Sequence, residues 1–245
     1  MPRLRIVSLV PSITELVFSF GRGDWLVGRT RFCTEPVGQV ETVAIIGGTK
    51  NPRIDRIVAL TPDVVLANKE ENRREDIEAL RAAGVTVLLT DPNSVIDAVA
   101  MIREIGALID ANPEAAGLAE AIGTALVEPS AAPPRRVFAA VWWNPLMGLG
   151  SESYGHDLLQ RAGATNVLGG QPRYPQLSLE ELAGLQPELI LLPDEPFPFA
   201  AAHALEFERV APVRLLDSKL LWWYGPRIPE AIRTLRSIFA ESGAS

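Results

Sequence analysis

Apolar positions along this chain form two kinds of run: short continuous blocks that read as buried strands, and longer stretches spaced at three and four residues that read as helices. Ile6 to Val10 is a first apolar strand. Pro11-Ser12 opens an amphipathic helix, Ile13 to Phe20, which Gly21-Arg22-Gly23 stops. Trp25 to Gly28 predicts a second strand, and Arg29 to Pro36 an irregular stretch. Asn51, with Pro52 after it, predicts a capped helix start. Val64 to Ala67 predicts a strand, and the charged segment Asn68 to Asp76 feeds a helix to Ala83. Gly84 ends that helix, and Val85 to Leu89 follow as a strand.

The middle of the chain has helical spacing only, from Ser94 to Asp110 and again from Pro113 through Leu118, Ile122 and Leu126. The prolines of Glu128 to Pro134 read as a boundary. Strand and helix patterns then resume: a strand at Arg136 to Val141, a helix at Tyr154 to Ala162 and a helix from Leu179. Strands at Leu189 to Leu192 and Val213 to Leu216 follow, then a last helix from Pro229 to Ala240. One phrase occurs twice. Arg56 to Leu66 reads helix end, Pro-acid turn, buried strand, and Glu181 to Leu191 repeats it behind a Ser178/Glu181 capping box. The fold class expected is α/β, with two Rossmann-like lobes bridged by a helical connector. The N-terminal lobe is placed at residues 1–110, the connecting helix and linker at 111–134, and the C-terminal lobe at 135–245. Two such lobes imply a cleft, the usual seat of a small ligand, and a stiff helical strut allows only small tilting between them.

Composition narrows the function. With 245 residues, 47% of them hydrophobic, the chain can bury a sizeable core. A formal charge of -7 and no dense Lys/Arg cluster argue against nucleic-acid binding. No apolar run reaches the length of a membrane helix, so no membrane insertion is expected, and a monomer is expected. Cys33 is the sole cysteine, which rules out an internal disulfide. The apolar run before Pro11 is too short for a signal-peptide core, so a cytoplasmic location is expected as written, or a periplasmic one if a leader has been removed.

The loops after the predicted strands hold the candidate chemistry. Four of five tryptophans form the pairs Trp142-Trp143 and Trp222-Trp223. Neighbours in a strand point to opposite faces, so one of each pair can pack in the core while the other reaches a ligand. Phe32, Tyr154, Tyr174, Phe197, Phe199 and Tyr224 occupy comparable loops. Flat apolar groups of this kind suit a large planar or macrocyclic ligand. Cys33 reads either as a small buried hydrophobe or as a thiol facing a ligand's metal. The run Lys69 to Asp76 reads as a solvated helix start or a docking surface. Gly150-Ser151-Glu152-Ser153-Tyr154-Gly155 lacks the first glycine of a nucleophile elbow, and Gly148-Leu149-Gly150 lacks the third of a dinucleotide loop. His156 and His203 are not spaced as metal ligands. His156 reads as a helix N-terminal polar group, His203 as surface.

Several stretches together resemble the helical-backbone metal-receptor family, substrate-binding proteins with the class III periplasmic-binding-protein-like fold. The matching residues are Arg5 to Leu16, Arg56 to Leu66, Asn144-Pro145 with Gly150 to Ser153, Pro175 to Ser178, and Gly225-Pro226-Arg227. Its vitamin B12 (cobalamin) binding members, receptors of ABC importers, give the nearest pattern. The resemblance implies a non-enzymatic binder of a metal chelate such as cobalamin, haem or a ferric siderophore, with no built-in cofactor. By position it implies a stacking role for Phe32 and a cleft role for Tyr174, Trp142, Trp143, Trp222, Trp223 and Tyr224. Asn68 stands where the family has a cleft tryptophan, and Cys33 lies beside Phe32 in a motif, Phe32-Cys33-x-x-Pro36, of a leaderless branch. A haem ligand would require an axial group, for which Tyr174, His156 and Cys33 are candidates. The family docks on its ABC permease through an acid on each lobe. Glu75 lies near the first of these positions, whereas the second falls in the Trp222-Trp223 segment with no acid. That departure, with the short connector, argues against a permease partner. An importer's periplasmic receptor and an enzyme on the same scaffold stand as alternatives.

Overall fold

The computed structural model describes residues 3–129 and 133–241. Ser130 to Ala132, inside the expected boundary segment, lie outside them. The chain divides into two compact units. The first comprises Met1–Asp91, Asp97–Glu120 and Tyr224–Pro226, and the second Pro92–Ile96, Ala121–Trp223 and Arg227–Ser245.

The first unit contains β1 (Ile6–Ser8), α1 (Pro11–Ser19), β2 (Leu26–Arg29), β3 (Gly47–Gly48), β4 (Asn51–Pro52), α2 (Ile54–Ala59), β5 (Val64–Asn68), α3 (Arg74–Ala82) and β6 (Val87–Thr90). Two helices follow, α4 (Val95–Leu108) and α5 (Asn112–Val127), and the chain passes to the second unit within α5. The main sheet is parallel, in the order β2-β1-β5-β6. All five residues of β5 are buried, as a central strand of a two-sided parallel sheet requires. Val7, Val65 and Ala67 from the strands and Leu9 just after β1 pack with Ile57 of α2 and with Ile77 and Leu80 of α3. Pro11 opens α1, where its missing N–H costs nothing.

The second unit contains β7 (Arg135–Trp142), β8 (Met147–Gly148), α6 (Tyr154–Arg161), β9 (Ala164–Asn166), α7 (Leu179–Gly184), β10 (Leu189–Pro193), α8 (Ala201–Phe207), β11 (Val213–Leu216), α9 (Lys219–Trp222) and α10 (Ile228–Glu241). Its sheet runs β11-β10-β7, with β9 parallel and β8 antiparallel on the far edge of β7. Phe138, Leu182, Ile190, Leu192 and Phe207 form its core. Ile228, Ala231, Ile232, Leu235, Ile238 and Phe239 supply the buried stripe of α10.

The doubled phrase is a doubled structure. In the first copy, α2 ends at Leu60, Thr61 takes φ 45°, and β5 follows. In the second, α7 ends at Leu185, Gln186 takes φ 50°, and β10 follows. Each turn is held by an arginine at the start of the neighbouring strand. Arg5 donates to the Leu60 and Thr61 carbonyls, Arg136 to those of Leu185 and Gln186. The acid after the proline answers by accepting that arginine's backbone N–H, Asp63 at 2.7 Å and Glu188 at 2.7 Å. A cation on the carbonyl end of a helix also opposes its dipole favourably.

One expected helix start is corrected. Asn51 and Pro52 form β4, paired antiparallel with β3, and Arg53 rather than Asn51 precedes α2, with no side-chain cap. Gly47 at φ 121° turns the chain into this hairpin, and the Arg53 N–H donates back to Ile46 O at 2.6 Å. The Ser178 box forms as expected: Ser178 Oγ accepts from the Glu181 N–H at 3.1 Å, and the Glu181 carboxylate accepts from the Ser178 N–H at 2.6 Å.

Candidate functional site

In the first unit, the loop leaving β2 carries Arg31 and Phe32. The Arg31 N–H donates to Gly47 O at 2.8 Å, which pins this loop to the β3–β4 hairpin. Phe32 is 51% exposed, and the Arg31 guanidinium carbon stands 5.6 Å from the centre of its ring. Both side chains lie near Gly48: a methyl there would meet Asn51 Oδ1 first, at 2.4 Å, then Phe32 Cε2 at 3.2 Å and Arg31 Nη2 at 3.3 Å. Glycine therefore leaves room for the Asn51 amide inside the hairpin, with the ring and guanidinium close above it.

Cys33, one residue on, is fully buried. Its Sγ is 3.0 Å from Thr14 Oγ1 and 3.2 Å from Thr30 Oγ1. Burial pushes the thiol pKa up, against the opposing pull of those hydroxyls and of the Arg29 charge. A protonated, enclosed thiol is a packing group, so the expectation that Cys33 faces a ligand is corrected. Asn68 is corrected likewise. It is fully buried at the end of β5, with Oδ1 accepting from the Glu70 and Glu71 N–H groups and Nδ2 donating to Thr90 Oγ1. Its amide closes a turn. Tyr224 is buried too.

In the second unit, the strand alternation separates the first tryptophan pair. Trp142 ends β7 and is 41% exposed, while Trp143 packs against the core at 5.2 Å from Phe207. Trp142 meets Phe197, from the loop after β10, edge to face at 5.5 Å. Phe197 in turn contacts Phe199 at 4.8 Å and His203 at 5.1 Å. His203 Nδ1 accepts the Ala200 N–H at 3.1 Å, which orients the ring at the start of α8. The rings thus form a ladder rising from the buried Phe207 to the exposed Trp142.

The second pair does not follow strand logic, because Lys219 to Trp222 form the short helix α9. Trp222 is half-buried and donates its indole N–H to Glu195 O at 2.8 Å, tying α9 to the loop after β10. Trp223 is buried, with the Lys219 ammonium 5.4 Å and the Arg227 guanidinium 5.3 Å from its ring centre. The pair thus divides into one partly exposed ring, Trp222, and one packed ring, Trp223. Tyr174 is half-buried under the Arg173 guanidinium, whose Nη1 donates to Asn93 Oδ1 at 3.0 Å. Glu195 is largely exposed, yet desolvation of its carboxyl raises the pKa, helped by Asp194 and Asp217 and opposed by Lys219.

His156 lies in the first turn of α6. Its Nδ1 is 3.0 Å from Asn166 Nδ2, and burial lowers its pKa. Among the described residues no three His, Cys, Asp or Glu side chains converge to hold a metal ion, and no helix is long and apolar enough to cross a membrane. Sequence reasoning placed Arg31 in a loop after a strand without singling it out, and did not foresee the Phe197–His203 contact. The adjacency of Arg31 to Phe32 was a local signal for the first; the second depends on α8, too short to be recognised.

Parallel α/β units that present aromatic side chains on the loops after their strands define a small-ligand-binding scaffold. Residues 6–206 match the periplasmic binding protein family, and the chain belongs to it. It is similar to the vitamin B12-binding protein of Photorhabdus laumondii, with 26% identity over 195 residues, 77% of this chain and 70% of the relative. Among solved structures it is similar to the periplasmic heme-binding protein RhuT from Roseiflexus sp. RS-1, with a TM-score of 0.82, 22% identity and 98% of each chain covered. It is also similar to the periplasmic vitamin B12-binding protein of Vibrio cholerae, with a TM-score of 0.82, 20% identity, and 100% and 99% covered. The fold is therefore that of the class III periplasmic binding proteins.

Proposed function

We propose that this chain is a non-enzymatic receptor for a metal chelate with a broad flat face, of the cobalamin, haem or ferric-chelate kind. The observation that carries the reading is the half-exposed Trp142 ring, held edge to face on Phe197 at the C-terminal end of β7. An exposed tryptophan anchored at its edge offers stacking area at little entropic cost. Phe32 offers a second such ring in the first unit. Relatives named for vitamin B12 and heme binding support the chelate class. The metal would arrive with the ligand, and no catalytic step is assigned to the chain.

Membership of a family named for the periplasm supports a periplasmic station and delivery to an importer's permease, over the cytoplasmic location expected from the N-terminus. Titration by intrinsic fluorescence with cyanocobalamin, haem and a ferric siderophore tests the reading. Saturable quenching by at least one is expected, with Trp142→Ala weakening that binding about tenfold, as the loss of one stacked ring implies. Saturable binding that Trp142→Ala leaves unchanged would contradict the assigned site.

A further inference from the structure

The basic side chains around the strand ends of the first unit are mostly committed. Arg29 is buried and donates to the carbonyls of Val40, Thr30 and Cys33. Lys50 donates to Glu70 O, and Lys69 pairs with Asp91. Arg31 differs. It is exposed, and no hydrogen bond or ion pair of its guanidinium is seen among the described residues, where it lies beside Phe32 and Gly48. A cation of fixed fork geometry therefore stands 5.6 Å from the centre of an exposed apolar ring, both near Gly48.

The two groups offer complementary chemistry. Phe32 presents a flat apolar surface, and a guanidinium donates two parallel N–H groups to a carboxylate. A ligand satisfying both carries an anionic group on the rim of a flat face. We propose that Arg31 and Phe32 act as one specificity platform that selects chelates with rim carboxylates over chelates with an uncharged rim. This rests on the chelate-binding reading above.

The test uses three probes: haem, with two rim carboxylates; its dimethyl ester, with the same face and none; and cyanocobalamin, with an amide rim. Dissociation constants are measured for the wild type, Arg31→Gln, Arg31→Lys and Phe32→Ala in one mild non-ionic detergent, with thermal melts as a folding check. The wild type is expected to bind haem about tenfold more tightly than the ester, the scale of a single charge-assisted contact. Arg31→Gln removes that preference by weakening haem binding far more than ester binding, Arg31→Lys restores part of it, and Phe32→Ala weakens both ligands alike. Added salt erodes the haem preference in the wild type but not in Arg31→Gln. Equal wild-type affinity for haem and ester, or an Arg31→Gln variant that weakens both equally, would overturn the proposal. Binding of cobalamin alone would overturn it while leaving the chelate reading standing. Binding of none of the three would overturn the proposal, and the chelate reading falls with it only if the ferric siderophore is not bound either.

Discussion

Cys33 shows how little a residue type says about its role until its neighbours are known. Next to an exposed phenylalanine, a lone cysteine invites a metal-facing reading, yet the thiol is enclosed by two threonine hydroxyls. Thiol reagents should therefore leave it unmodified in the native protein and react on unfolding. Cys33→Ala should cost about 1 kcal/mol, for a small cavity and the lost hydroxyl contacts, without changing ligand affinity. The folded thiol titrates above its ordinary value near 9. The stabilisation it brings is thus complete below that value and lost as pH rises through the folded one, because the unfolded chain releases its proton first. Urea unfolding at neutral and alkaline pH should show that loss in the wild type and its absence in Cys33→Ala. A native thiol that reacts rapidly would contradict this account.

At the scale of elements, long periodic segments were legible: α1, α3, α4, α5, α6 and α10 and the apolar strands β5, β7 and β10 lie where their spacing puts them. Six short elements were not. β3, β4, β8, β9, α8 and α9 show too little periodicity to be recognised and are set by tertiary pairing. The same limit explains the site. Trp142 and Trp143 split as strand alternation requires, whereas Trp222 and Trp223 occupy a helical turn that no local pattern announces. Asn68 is polar and follows a strand, but its burial depends on Thr90, far along the chain. Caps sharpen the contrast. Ser178→Ala should lower stability by about 1 kcal/mol in urea unfolding, as loss of an N-cap does. Asn51→Ala should show no cap loss, because Asn51 sits in a hairpin. Equal effects would contradict the assignment.

On the scale of the whole molecule, one construction is used twice: an arginine at a strand start locks a helix end and a Pro-acid turn in each unit. The loops that differ, Arg31-Phe32 in one unit and Trp142 with Phe197 in the other, are where ligand choice is assigned. The most direct measurement is thermal unfolding of the intact protein with and without cobalamin, haem and a ferric siderophore. A ligand bound only by the folded state at a hundredfold excess over its dissociation constant adds about 2.7 kcal/mol. For a chain of this size that raises the melting temperature by about 5 to 10 °C. The account predicts a rise of that order with at least one chelate, and an unchanged melting temperature with all three would contradict it.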